Sequence, residues 1–368
     1  MMLLRLTLFV LLSLTTLSHA AEPIDLIHSR AELETLWRGR VQTMLDQGKL
    51  PKIDMETSIQ SGQVVDYIPG VFDTMDELGV ALIAADGYQR PKDGSDGYRW
   101  SFYIHELVNK YPERFIPTAN AGTNPNWARQ KGGSEKHFID QMERYVRAGV
   151  YAHMGELEFR HYMSSSQCRD KRRDRNVDIP LNGKNGRRLF TLAALTSVPF
   201  VIHLEAEDRP LEELEEMLKD YPGAKVIVAH FAQIRHPEKQ KRFTPAYVRR
   251  LLSRHANLYF DLANGQPNRK YRCAGKDNKA TLTGDTTLWK GGPGHQSDTL
   301  KPEWRAILGD FSKRFVFATD YGGGRPPLPV FLRQKVDNFR RIVRDLPEPA
   351  KHDIAYRNAW KLLTGKDW

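Results

Sequence analysis

The chain has 368 residues, 55 basic against 45 acidic side chains for a formal net charge of +10, and two cysteines. That length suits one α/β barrel with insertions or two ordinary domains. Beyond the first twenty residues no stretch is apolar for long enough to cross a bilayer, and the basic balance implies attraction to anionic partners such as a cell envelope.

Arg5 precedes a continuous apolar run from Leu6 to Leu17, and Ser18-His19-Ala20 places small residues at the −3 and −1 positions of a cleavage site before Ala21. This is the layout of a secretory signal, so residues 1–20 are expected to be removed and the mature chain to be periplasmic or secreted, without stable membrane insertion. The alternative is an uncleaved anchor, although the apolar core is short for a true span. Residues 21–50 read as a lead-in segment, and residues 51–368 as a single domain.

Within that domain, strand-like runs alternate with amphipathic stretches. Lys52–Ser58 is the first expected strand, followed by a helix with apolar positions at Val65, Ile68, Phe72, Met75 and Leu78, then a second strand at Val80–Ala85. Trp100–Tyr111 reads as helix, Arg114–Ala119 as strand three, Glu135–Ala148 as helix and Val150–Phe159 as strand four. Val198–Leu204, Lys225–His230, Asn257–Leu262 and Arg314–Asp320 supply strands five to eight, with helices at Leu211–Leu218, Ala246–Arg254 and Val330–Val343. Short β-branched runs are typical of buried parallel strands, and eight of them with crossovers describe a single (β/α)8 TIM-type barrel of the α/β class.

Three of these runs end in a residue suited to holding or activating a metal-bound water: His203, His230 and Asp320. Barrel enzymes place their chemistry at the carboxyl ends of the strands. Two connections, His161–Lys184 after strand four and Gly265–Ser297 after strand seven, are too long to be turns and read as walls or lids. Both are basic, as is the loop after strand six, and all three follow strand carboxyl ends, so their charge is expected around one mouth. A solvated surface is the competing explanation. The basic mouth points to a small anionic substrate, and no aromatic platform is interleaved with the charges that would favour single-stranded nucleic acid. Cys168 and Cys273 fall in the two long loops, on one face of the sheet, so a disulfide between them is geometrically possible; two free thiols are the alternative.

With the strand ends laid out, the chain resembles the amidohydrolase superfamily, and within it the amidohydrolase-related group of metal-dependent hydrolases and decarboxylases. The phrases that carry the resemblance are IDMET at strand one, KYPERFIP at strand three, VIHLE at strand five, VIVAH at strand six, NLYFDL at strand seven, FATDYG at strand eight and YRNAWKLL near the end. The family's metal centre draws a His-x-His from strand one, a Lys or Glu from strand four, a His each from strands five and six, and an Asp from strand eight. Matched by position, His203, His230 and Asp320 carry over, and Glu156 in Met154-Gly155-Glu156-Leu157 is similar to the strand-four Glu of TatD-like members. Glu56 and Ser58 replace the His-x-His, which puts a two-metal site in doubt.

The resemblance implies one divalent metal ion, zinc by its ligands, held by Glu156, His203 and His230 with Glu56 as a fourth ligand or water-orienting group, and Asp320 as the proton acceptor. An inherited core with no metal at all is the competing reading. Glu158, Arg160 and His161 extend strand four into the mouth, where with Arg172 and Arg173 they would contact the substrate. Glu205 is expected to support His203, Asp261 and Asn264 to offer polar contacts, Gly322-Gly323-Gly324 to offer amides to an anion, and His153 simply to pack. The implied function is an exported metal-dependent hydrolase acting through a metal-activated water; the alternatives are a lyase or decarboxylase of the same fold, or a silent barrel that binds an anionic envelope ligand. The oligomeric state stays open.

Overall fold

The computed structural model describes residues 26–58, 68–86, 88–89, 99–100, 102–119, 126–129, 138–149, 151–263, 265–271, 273, 281–282, 287–292, 295–322 and 329–368. Residues 1–20, the expected signal, together with Val65, Asn264, Gly323 and Gly324, lie outside them.

Eight parallel strands follow one another in space as in sequence: β1 (Lys52–Ser58), β2 (Val80–Asp86), β3 (Phe115–Ile116 resuming as Thr118–Ala119), β4 (His153–His161), β5 (Phe200–Leu204), β6 (Val226–Val228), β7 (Leu258–Asp261) and β8 (Phe315–Val316 resuming as Tyr321–Gly322). Each pairs in parallel with its neighbour, and the second half of β8 returns to β1 through Thr57 opposite Tyr321. The strands fall into two sheets, divided at the breaks in β3 and β8. Pro117 explains the break in β3, since it has no N–H to contribute to a ladder.

The break in β8 has a different cause. Between its halves the chain satisfies the neighbouring strands irregularly. Met55 N–H donates to Phe317 O at 3.0 Å, Asp320 N–H to Glu56 O at 3.0 Å, and Thr319 N–H to a carboxylate oxygen of Asp54 at 3.0 Å. A buried side chain thus supplements the backbone ladder, since Thr319 N–H also lies 3.3 Å from Glu56 O.

Helices return the chain between strands much as the periodicity predicts, with Phe102–Lys110, Phe138–Arg147, Asp208–Asp220, Pro245–Arg254 and Pro329–Val343 in the expected places. The expected loop after β4 is instead a folded wall: it holds a short helix, Ser165–Arg169, and a two-residue strand, Val177–Asp178, that pairs antiparallel with the end of β4. The lead-in contains a helix, Arg30–Asp46, opened by a Ser29–Glu32 capping box and burying Leu33, Trp37, Val41 and Met44 against the barrel core. Its apolar spacing of four, four and three marks one helical face. Cys168 and Cys273 form a disulfide across 105 residues, tying the β4 loop to the β7 loop.

Candidate metal centre

The polar cluster is built from the ends of β1, β4, β5, β6 and β8. On β4, Gly155 sits at +105° in φ where a Cβ would come within 2.4 Å of Val201 O, so only glycine lets β4 approach β5 this closely. The pairing between the two strands shifts register there, and the shift leaves Glu158 opposite His203. Glu156, one residue past Gly155, then meets the two histidines. His203 Nδ1 lies 2.8 Å from Glu156 Oε1, and His230 Nε2 lies 3.3 Å from that same oxygen.

His230 and Asp320 both adopt left-handed backbone, φ 59° and 50°, at the points where the chain leaves β6 and crosses the break in β8. Left-handed conformations at non-glycine residues are uncommon and collect at functional sites. The His230 turn is held by its own N–H, which donates to Asp261 Oδ1 at 2.8 Å; Ala263 N–H donates to the same oxygen at 3.0 Å. Two donor groups lie close enough to share a cation, Glu156 with His203 and His230, and Glu56 with His230 and Asp320. Because a ring nitrogen has one lone pair, two ions could not both be served by His230 Nε2.

Charge in this cluster is unbalanced. Glu56 is buried, and among the described residues neither of its carboxylate oxygens has a hydrogen-bond partner. Burial pushes its carboxyl far above the usual range, and Asp320, Glu156, Asp261 and Asp54 push the same way. Asp261 is raised to about 6, first by burial. Burial opposes ionisation of Glu156 as well, but His203 and His230 outweigh it and hold the carboxyl well below its ordinary value. For His203 burial disfavours the charged ring, yet Glu156 and Glu205 prevail and raise its pKa.

His203 is flanked by acceptors on both sides, with Glu205 Oε1 3.5 Å from Nε2. A neutral imidazole carries one N–H, so one ring nitrogen must then turn a lone pair toward a carboxylate. A second proton or a cation removes that repulsion. An unpartnered buried carboxylate, a carboxylate between two imidazoles and an imidazole between two carboxylates together fit a divalent ion.

Glu158 is buried, ion-paired with Arg175 and 3.8 Å from His161 Nε2, while one of its oxygens has no hydrogen-bond partner among the described residues. His161 Nδ1 meets Arg175 O at 2.8 Å, and its ring packs on His203 with centroids 4.6 Å apart. Arg160 faces away from a ligand role: its guanidinium donates to Glu207, Asn176 and Val177 O and lies 3.8 Å over the Tyr162 ring. Arg172 and Arg173 are exposed, and Arg172 pairs with Asp174 at 2.8 Å. Of that basic run it is Arg175 that turns inward. His153 is a packed, neutral histidine whose pKa burial pushes down to about 3. Ser58 ends β1 opposite Gly322.

Asp54 was not anticipated as part of this site. Two residues before Glu56, it accepts from Thr319 N–H at 3.0 Å and Thr319 Oγ1 at 2.5 Å, and burial raises its pKa to about 8. The same-face spacing of Asp54 and Glu56 on a strand was the available signal.

The amidohydrolase family profile matches residues 118–364, more than half of the chain. This protein belongs to the amidohydrolase family. No curated protein matches it. Among solved structures, this amidohydrolase is similar to an uncharacterized TIM-barrel protein from Bordetella bronchiseptica, at 15% identity over 80% of this chain and 82% of the other, with a TM-score of 0.48. It is also similar to a dihydroxybenzoic acid decarboxylase from a Polaromonas species, solved with manganese and 2-nitroresorcinol, at 15% identity over 85% and 96% of the chains and a TM-score of 0.46. A 4-oxalomesaconate hydratase from Rhodopseudomonas palustris is similar at 15% identity over 90% and 91%, with a TM-score of 0.46.

Proposed function

We propose that this amidohydrolase is a metal-dependent hydrolase acting on a small anionic substrate, with Glu156, His203 and His230 as ligands of one divalent ion, zinc, and Glu56 as a fourth donor. The observation that carries the reading is the buried, unpartnered carboxylate of Glu56 beside a carboxylate-plus-two-imidazole set, a donor combination that suits zinc. Such an ion would polarise the substrate's reacting group and acidify a water. Asp320 is the proton acceptor in this reading. Its side chain is 31% exposed, so it can reach solvent and substrate, and Lys335 Nζ stands 3.6 Å away as a countercharge.

Glu158, His161 and Arg175 form the wall of the site on the β4 side. Among the described residues one buried oxygen of Glu158 has no hydrogen-bond partner, so it is the group of this wall best placed to donate to or accept from a bound substrate. Arg160 supports the wall from behind. Arg172 and Arg173 act from exposed positions, by raising the local concentration of an anion. The disulfide and the leading apolar segment support export to an oxidising compartment. No helix among the described residues is long and apolar enough to cross a membrane.

Elemental analysis of the purified, untagged protein, followed by a hydrolase screen with and without zinc or manganese, tests the reading. One equivalent of metal and chelator-sensitive turnover are expected. Full activity in the presence of chelator, with no metal retained, would overturn it.

A further inference from the structure

The environment of Glu205 goes beyond the ligand set. It follows His203 by two residues at the end of β5 and is 1% exposed. Its carboxylate accepts from Arg235 Nη1 at 2.7 Å, Gln240 Nε2 at 3.2 Å and Tyr162 N–H at 3.5 Å. Arg235 also donates to Tyr162 O at 2.7 Å, so the guanidinium is itself fixed between the β4 and β6 loops. The carboxylate is thus anchored by three donors from two loops, and Oε1, the oxygen that takes the Arg235 and Tyr162 bonds, also faces His203 Nε2 at 3.5 Å.

We propose that Glu205, held by Arg235 and Gln240, is a positioning residue: it accepts the Nε2–H of His203 and so leaves Nδ1 free, with its lone pair directed at the point shared by Glu156 Oε1 and His230 Nε2. This rests on the metal-site reading above and extends it to a residue that touches neither metal nor substrate. The logic is one of proton placement. His203 has two carboxylates to serve and, when neutral, one N–H. If the proton sits on Nδ1 it satisfies Glu156 and blocks a ligand; if it sits on Nε2 it satisfies Glu205 and exposes one. Three donors hold Glu205 in place, so its demand for the proton does not relax when Glu156 turns to a cation. Partners of this kind are general features of metal-ligating histidines, and their removal weakens metal binding about 10- to 100-fold.

Glu205→Gln makes the sharper test than alanine, because it keeps the shape. Arg235, Tyr162 N–H and His203 Nε2 all meet Oε1, so the amide oxygen would keep that place without the carboxylate's charge while the amide NH2 faced the Gln240 NH2; the anchor loosens and the ring proton is no longer held on Nε2. Zinc affinity, read by competition with a chromophoric chelator, is expected to fall about 10- to 100-fold, and Glu205→Asp to recover part of the loss. Because Glu205→Gln could also disturb folding, the wild-type protein supplies an independent readout. In its zinc-loaded form, the 15N resonances of His203 should show Nε2 protonated and Nδ1 as the metal-bound nitrogen. Unchanged zinc affinity in Glu205→Gln, or a wild-type ring with Nδ1 protonated, would overturn the assignment. His203→Ala separates the two levels of the argument. If that variant keeps wild-type zinc affinity, the ligand set itself is wrong; if it loses zinc while Glu205→Gln does not, only the positioning role fails.

Discussion

Glu156 and His203, 47 residues apart in sequence, share a 2.8 Å contact in the buried end of the barrel, and His230 approaches the same Glu156 oxygen from the next strand. Removing either ring should therefore remove metal, and not merely slow turnover. A ligand present at a hundred times its Kd stabilises the native state by about 2.7 kcal/mol. Zinc should raise the Tm of the wild-type protein accordingly, and should leave the Tm of His203→Ala and His230→Ala unchanged.

Glu56→Gln removes a buried carboxyl that has no hydrogen-bond partner among the described residues and whose ionisation burial opposes. Without metal this substitution should stabilise the fold or leave it unaltered, since burial of an unpaired carboxylate is costly. With zinc present the order should reverse. Urea unfolding of both proteins with and without metal checks the crossing; a Glu56→Gln protein less stable in both conditions would mean that the carboxylate has an ordinary structural role.

Gly155→Ala should be severe. A methyl group 2.4 Å from Val201 O at a φ of +105° adds an overlap with backbone to an unfavourable backbone conformation. A loss of about 3 kcal/mol is expected from denaturant unfolding, together with loss of metal, because β4 would be pushed off β5 at the residue that precedes Glu156.

Lys52 provides a pH test away from the site. It is buried at the start of β1, its ammonium meets Leu50 O and Leu78 O, and burial lowers its pKa to about 7. The unfolded chain has an ordinary lysine, which holds its proton to about 10.4. Between these two values the unfolded state binds more protons, so stability should rise with pH from about 7 toward 10.4, and the charged form should depress it below 7. Lys52→Met should flatten that slope in urea titrations at pH 7 and pH 9.5.

The two disulfide cysteines make a fifth case. Chain entropy for a closed loop of this size predicts that Cys168→Ser with Cys273→Ser costs on the order of 4 kcal/mol, with measured losses often smaller. Reversing Arg172 and Arg173 to Glu should act differently: these side chains are exposed, so KM should rise a few-fold and salt sensitivity should fall, with kcat nearly unchanged.

The strand ends were legible because a buried parallel strand and its terminal polar residue sit next to each other in sequence, as in the runs that lead to His203 and His230. The helix at Arg30–Asp46 was missed in the lead-in segment, although the spacing of Leu33, Trp37, Val41 and Met44 carries its signal. The fate of the arginines was not legible. Arg160, Arg175 and Arg235 look in sequence like mouth charges, yet each is turned onto a carboxylate of its own chain, Glu207, Glu158 or Glu205. Which arginine meets which carboxylate depends on distances across the barrel, and these are set only after the strands have paired. Asp54 escaped notice for a related reason: its partner Thr319 is 265 residues away.

The seam between the first and last strands has a consequence in time. Thr319 and Asp320 reach Asp54 and Glu56 only when the eighth strand has arrived, and the eighth strand lies near the end of the chain. A growing or truncated polypeptide can form the first seven strands and still lack both the last donor group and the bonds that hold Glu56 in register. The group of Glu56, His230 and Asp320 is therefore completed only by the last strand, and the amides of Thr319 and Asp320, followed by hydrogen exchange, would report that step.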